Sequence, residues 1–209
     1  IDTCFFKTRD GFHPFRESLL LKDENYLILS IASLSPIKNH ELKIQVLKLL
    51  NGLNLKVRLL IIGSGPLKEK LLDLARREGV LNYITFIDYI PNREIYKYMQ
   101  SADLLLHCSI NESFCNVIIE SLLTGLPIVS TKVGVLKDGF FKDLVSVKIV
   151  DCNPNSVLKG IVDLFSSDIN NSLRQKNKIH KMIKKRYSID IKVENYFNEY
   201  CALSDKRYR

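Results

Sequence analysis

The chain reads as an α/β fold, a doubly wound parallel sheet with C-terminal helices. Two observations predict it. Six short β-rich apolar runs alternate with helical patterns through short connections, the order that winds a parallel sheet with helices on both faces. Several of those runs are apolar on consecutive residues rather than every second one, as strands buried on both faces must be.

The runs "YLILSIA" (26–32), "KVRLLIIG" (56–63), "YITFIDYI" (83–90), "DLLLHCS" (103–109), "LPIVSTKV" (126–133) and "VSVKIV" (145–150) are the predicted strands. Between them, "ELKIQVLKLLNG" (41–52), "PLKEKLLDLARREG" (66–79), "NREIYKYMQSAD" (92–103) and "NVIIESLLTG" (116–125) predict helices. Pro66 suits a first helical turn, and Gly52, Gly79 and Gly125 stand where a C-terminal cap is wanted. After Val150 the pattern is helical throughout, over about 154–166, 168–186 and 189–203. No repeat or Pro/Ser linker divides the chain, so one domain over 1–209 is expected, with a core over about 24–166 and helices over about 168–203.

Composition narrows the function classes. With 46% apolar residues the 209-residue chain suits a globular domain, and no stretch nears the ~18 unbroken apolar residues of a membrane span. Five cysteines without a C-x-x-C pair point to reduced thiols in a cytoplasmic setting. Four histidines without metal-ligand spacing, and no D-x-D pair, give no expectation of a metal site. Of the net charge of +8, seven units lie in "RQKNKIHKMIKKR" (174–186), where Leu173, Ile179 and Ile183 mark a narrow apolar stripe. That run is either a solvated outer helix face or a contact for an anionic membrane surface. It lacks the interleaved aromatics that nucleic-acid binding would use.

In such a sheet ligands bind past the carboxyl ends of the strands, so the loops 33–40, 63–66, 87–92 and 109–116 matter most. The last opens a helix at about Phe114 to Asn116, and the N–H groups of Phe114, Cys115, Asn116 and Val117 are first-turn donors suited to an anion. Glu112 lies just outside that turn and Glu120 about a turn inside it. Carboxylates accept from vicinal hydroxyls, so the arrangement fits a ligand with phosphates in the middle and hydroxylated rings at both ends. A sugar nucleotide has that form, with Glu112 on the sugar and Glu120 on the ribose. The plain alternative makes Glu112 a helix N-terminal charge and Glu120 a surface residue. Lys38 is the one cation of the 33–40 loop and suits a diphosphate, or is a surface lysine. "IIGSGP" (61–66) lacks both the third glycine of G-x-G-x-x-G and a G-K-[ST] ending, so a tight turn accounts for it better than a dinucleotide site. Cys115 is either a helix-start thiol of lowered pKa or an inert buried one.

Taken together, these loops resemble the retaining glycosyltransferases of family 4. "NESFCNVIIESLLTGLPIVSTKVG" is similar to the family's E-x7-E segment, "IASLSPIKNHE" to its G-R-L-x-x-x-K-G loop and "LLIIGSGPLKEKL" to its I-x-G-x-G-P segment. "ITFIDYIPNREIYKYMQSADLLLHCSINESF" follows its F-x-G-x-V, helix, A-D-x-x-x-x-P-S-x-x-E run, and "IDTCFF" resembles the segment after the interdomain hinge. The resemblance spans about residues 1 to 200.

It implies the C-terminal, Rossmann-like half of a GT-B enzyme, with the N-terminal acceptor-binding domain absent from this chain. Glu112 and Lys38 would act at the reacting sugar and diphosphate, and Glu120 on the ribose. The segment Phe114, Cys115, Asn116 and Val117 would hold sugar and phosphates through its backbone, and Ile90 would meet the base. No metal or cofactor is implied. The donor would be a UDP-sugar or, in second place, a GDP-sugar, with hexosyl transfer to a saccharide or lipid-linked acceptor. Bacterial surface polysaccharide such as O-antigen is the expected product, made in the cytoplasm or at the inner membrane face. Five positions depart from the family: Ser33 for an Arg at the diphosphate, Ser113 and Cys115 for glycines around Phe114, Asp88 for a Gly, and Cys108 for a Pro. Lys132 is a candidate to replace the missing cation. Two other functions fit the fold, a nucleotide-sugar 2-epimerase with His107 in the site and a non-catalytic binding module. The chain alone is expected to bind nucleotide without catalysing transfer.

Overall fold

The computed structural model describes residue 16, residues 26–166 and 169–187, and residue 193, with the backbone alone over 169–177. Six strands, β1 (Tyr26–Ile31), β2 (Val57–Ile62), β3 (Ile84–Ile87), β4 (Leu104–His107), β5 (Ile128–Thr131) and β6 (Val147–Val150), form one sheet in the order β3-β2-β1-β4-β5-β6. Every pairing is parallel, and β1 meets β2 along its full length, from Tyr26 opposite Val57 to Ile31 opposite Ile62. Each strand lies within the run that predicts it. The continuous apolar runs have the expected cause: alternate residues of β1 enter opposite cores, Leu27 and Leu29 one face and Ile28 the other.

Helices α1 (His40–Gly52), α2 (Lys68–Arg77), α3 (Asn92–Ser101), α4 (Asn116–Thr124), α5 (Pro154–Phe165) and α6 (Ile169–Tyr187) cover the faces. One core gathers side chains of α3, α4 and α6 (Ile95, Ile118, Leu122, Ile179, Ile183), and the other those of α1, α2 and α5 (Leu47, Leu71, Ile161). The third predicted C-terminal helix, 189–203, apart from Val193, and the opening "IDTCFF" lie outside the described residues. The stripe Ile179–Ile183 is buried and joined by Tyr187, and His180 Nε2 meets the Leu123 carbonyl at 2.7 Å, so α6 spends its apolar face on α4. Lys178, Lys181, Lys184, Lys185 and Arg186 face outward.

Two punctuation marks differ from expectation. Gly125 (φ 78°) caps α4 and Gly79 (φ 71°) follows α2 in the left-handed region, as glycines at helix ends do. Gly52 is instead the last helical residue, and the left-handed turn falls on Asn54 (φ 58°), whose short polar side chain tolerates it. Pro66 sits in a turn ahead of α2, which starts at Lys68.

The glycines of "IIGSGP" answer to a neighbouring backbone. A Cβ on Gly63 would stand 2.0 Å from the Ala32 carbonyl oxygen, and one on Gly65 2.5 Å from that of Leu34. Leu34 N–H donates to the Ser64 carbonyl at 2.9 Å, and Leu67 N–H to the Leu34 carbonyl at 3.1 Å. The β2–α2 loop therefore clamps the β1–α1 loop, main chain on main chain.

Gly63→Ala is expected to lower unfolding free energy by about 2 kcal/mol or more, through overpacking against backbone that cannot yield. Gly52→Ala, in helix with open space around it, should raise it by about 0.5–1 kcal/mol. Urea unfolding of the two variants checks the contrast, which reverses if the loops are loosely apposed.

Candidate functional site

The strand order reverses between β1 and β4, and the crevice at that switch is formed by the β1–α1 and β4–α4 loops. A 3₁₀ turn, Pro36–Lys38, and a left-handed Asn39 (φ 48°) aim Lys38 across it. Ile110 N–H donates to the Ile37 carbonyl at 2.8 Å and holds the two loops together. Glu112 faces Lys38, and their ammonium and carboxylate form a short hydrogen-bonded ion pair. Ser109 Oγ donates to the same carboxylate oxygen at 2.9 Å, and His107 Nε2 stands 3.4 Å from it. Burial pushes the Glu112 carboxyl up, but hydrogen bonds from Lys38 and Ser109 outweigh it and the pKa falls below the usual value.

Cys115 forms the N-cap of α4 with φ 71°, a conformation uncommon for a residue with a Cβ. The segment is held from β5's side. Val135 N–H donates to the Phe114 carbonyl at 2.9 Å, and Gly134 (φ 51°) lies so close that a Cβ would be 2.3 Å from that oxygen. Below, the Phe114 ring meets Tyr187 of α6 edge to face at 5.5 Å. With Cys115 as cap, the N–H groups of Asn116 and Val117 have no helical acceptor and point out of the first turn. Gly134 is the site residue that sequence reading passes over, although a glycine directly after a predicted strand is a visible signal.

The remaining predicted residues are placed as follows. Glu120 is half-buried in the second turn of α4, its pKa raised by burial. Ile90, in the β3–α3 loop, packs against the same core as Phe114, Cys115 and Val117. Ser33 is exposed, its hydroxyl 3.2 Å from that of Ser35, and its carbonyl meets His40 Nε2 at 3.0 Å. Lys132 is exposed just past β5. Asp88 pairs with Lys68 at 2.5 Å, so two residues that depart from glycine motifs are partners of one another.

The thiol of Cys115 is pushed up to about 12, by burial first and then by Glu112, so it is the inert kind and not a lowered-pKa thiol. Its sulfur lies 3.3 Å from His107 Nε2. His107, Glu112 and Cys115 thus bring three ligand atoms within 4.8 Å of one another, a grouping that their spacing in sequence does not announce. The Lys38 ammonium already occupies the carboxylate oxygen of that group.

Behind the loops, His40 and His107 are held neutral. His40 falls to about 3 and His107 to about 4, in both cases by burial first and then by the nearby charge of Lys43. Unfolded histidines take up protons below about pH 6.5 while these two do not, so stability falls as pH drops from there. Urea unfolding between pH 6 and 5 should show His107→Gln with a slope shallower by about 1.4 kcal/mol per pH unit than the parent chain. Equal slopes would mean that His107 is protonated in the fold.

The chain matches the family model "Glycosyl transferases group 1" over residues 12–186. It is 31% identical over 154 residues to the N-acetylgalactosamine-N,N'-diacetylbacillosaminyl-diphospho-undecaprenol 4-alpha-N-acetylgalactosaminyltransferase of Campylobacter jejuni, covering 73% of this chain and 40% of that protein. The chain spans about half the length, or less, of the first curated relatives it matches. Among solved structures, Anabaena HepE in complex with UDP and glucose superposes with TM-score 0.79 at 19% identity, over 97% of this chain and 55% of that one. The C-terminal domain of a group 1 glycosyl transferase, LpcC of Francisella tularensis, superposes with TM-score 0.74 at 17% identity, over 90% of this chain and 99% of that one. At such identities the superpositions show the fold, the Rossmann-like half of GT-B. The family model, matched from ahead of β1 to the end of α6, shows more: the chain belongs to the group 1 glycosyl transferases.

Proposed function

We propose that the chain is the donor-binding domain of a metal-independent, retaining, family 4 hexosyltransferase that uses a nucleotide diphosphate sugar, UDP-linked by preference and GDP-linked otherwise. The observation that carries this reading is the Lys38–Glu112 pair set in the switch-point crevice beside the open first turn of α4. When a donor enters, the pair exchanges partners. Lys38 turns to the diphosphate, and Glu112, kept ionised by its surroundings, accepts from sugar hydroxyls. Backbone N–H groups of Phe114 to Val117 line the phosphates, Glu120 accepts from the ribose and the loop at Ile90 meets the base. As the glycosidic bond breaks, negative charge grows on the leaving diphosphate, where Lys38 and the α4 N-terminus stabilise it.

The acceptor is a saccharide or a lipid-linked saccharide, taken up by a further domain outside this chain. Support comes from the undecaprenol-linked substrate in the name of the C. jejuni relative, and from UDP in the Anabaena structure. The outward Lys and Arg side chains of α6 suit peripheral contact with an anionic inner membrane face through charge, and no helix among the described residues is long and apolar enough to cross a membrane. An epimerase role for His107 is disfavoured, since the ring is 2% exposed behind Glu112.

Calorimetric titration with UDP, GDP, ADP and NAD, with and without EDTA, tests the reading. Saturable UDP or GDP binding that EDTA leaves unchanged is expected. Glu120→Ala should weaken UDP and uridine alike, by about tenfold or more for lost hydrogen bonds to a charged acceptor. Lys38→Ala should weaken UDP far more than uridine. Absence of UDP and GDP binding, or a Glu120→Ala chain with undiminished affinity, overturns the donor-domain assignment.

A further inference from the structure

Directly beneath the crevice lies a buried charged group. Lys43, one turn along α1 from His40, turns its side chain in toward the sheet and is 1% exposed. Its ammonium donates to Ser30 Oγ at 2.8 Å and stands 3.4 Å from His40 Nδ1. Among the described residues no carboxylate is paired with it. An ammonium taken out of water without a carboxylate is costly, and replacing such a group by an apolar side chain of similar volume commonly stabilises a fold.

The groups facing Lys43 leave its charge uncancelled. On α1, His40 is neutral above about pH 3, and on β4, His107 is neutral above about pH 4. The Cys108 thiol next to β4 and the Cys115 thiol at the α4 cap are both pushed up to about 12, chiefly by burial, and stay protonated. Ser30 of β1 carries no charge. Across the crevice, Lys38 and Glu112 offset one another as an ion pair. What remains under the crevice is one net positive charge, that of Lys43, and its influence reaches Glu112 and His107.

We infer that Lys43 is an electrostatic positioning residue for the donor, a buried fixed cation that attracts the diphosphate to the β1/β4 crevice without touching it. The inference rests on the donor-domain reading and adds to it the source of the net charge. A buried charge of this kind keeps most of its field, because little water stands between it and the ligand. It also explains how an exposed Ser33 can stand beside a diphosphate. Lys43 itself falls to about 8, through burial first, so its charge is present at neutral pH and fades as pH rises through that value.

The experiment is titration of the parent chain and Lys43→Met with UDP, uridine and inorganic pyrophosphate, with thermal unfolding alongside. Lys43→Met should weaken UDP and pyrophosphate by about tenfold, the effect of one charge at roughly 10 Å in a partly buried setting. It should leave uridine unchanged and the melting temperature equal or higher. A merely structural lysine would instead lower the melting temperature and weaken all ligands together, and that result overturns the inference, as does undiminished UDP affinity. Should Lys43→Met not fold, the parent chain decides: its UDP affinity must fall between pH 7 and pH 9 while uridine affinity stays flat, and a flat UDP profile overturns the inference. If the parent chain takes pyrophosphate but no nucleotide, the donor reading fails and Lys43 is judged on pyrophosphate alone. If it takes neither, both are overturned.

Discussion

The carboxyl edge of the sheet is held by backbone packed against backbone. Gly63 and Gly65 press on the Ala32–Leu34 segment, and Gly134 presses on Phe114, each at a distance that excludes any side chain. Between these two clamps the Ile110–Ile37 hydrogen bond ties one loop to the other. Lys38 and Glu112 meet because the main chains that carry them have nowhere else to go. The ion pair is thus an outcome of the loop packing, and it need contribute little stability of its own, as partly exposed pairs commonly do.

Electrostatics at the edge are arranged in depth. The outer layer, Lys38 with Glu112, has no net charge as a pair. The middle layer of His107 and Cys115 is neutral, kept so by burial. Below it, Lys43 supplies the charge, tethered to Ser30 of the central strand β1 and therefore as immobile as the sheet. On the proposed reading, fixed charge at the base and exchangeable charge at the rim divide attraction from selectivity: the base would draw any polyanion, and the rim and the α4 turn would decide which one fits.

Much of this was legible in the residues because strands and helices announce themselves by period. The six apolar runs found their strands, and the four intervening helices start and stop within two residues or so of their patterns. The crevice residues Lys38, Glu112 and Phe114 to Val117 follow from knowing that loops at strand ends bind ligands. What sequence pattern does not carry is contact between segments far apart in the chain. Gly63 looks like a turn glycine until Ala32 is seen against it, and Gly134 like a linker until Phe114 is. Lys43 falls in a helix whose other charged residues are on the surface, and only the register of α1 on the sheet turns it inward. His107 and Cys115 sit eight residues apart in sequence, a spacing without metal-site meaning, and a single tight loop folds them together. Gly52 misled for a simpler reason, since Asn54 was as able as glycine to take the left-handed turn.

The ring of Tyr187 under Phe114 carries a consequence for where such a domain can be cut. Tyr187 is the last residue of α6, far along the chain from the crevice, and it also lies against Phe140 and Phe141. A chain shortened to the sheet and its first five helices would keep every strand and every crevice residue. It would lose the aromatic floor on which the Phe114–Cys115 cap stands. Neighbouring Arg186, bound to Asp138 and stacked on Phe140, fastens that floor from outside. The end of α6 is therefore as much a part of the crevice loop's foundation as the glycine that presses on that loop, and the smallest unit that preserves the crevice reaches at least to residue 187.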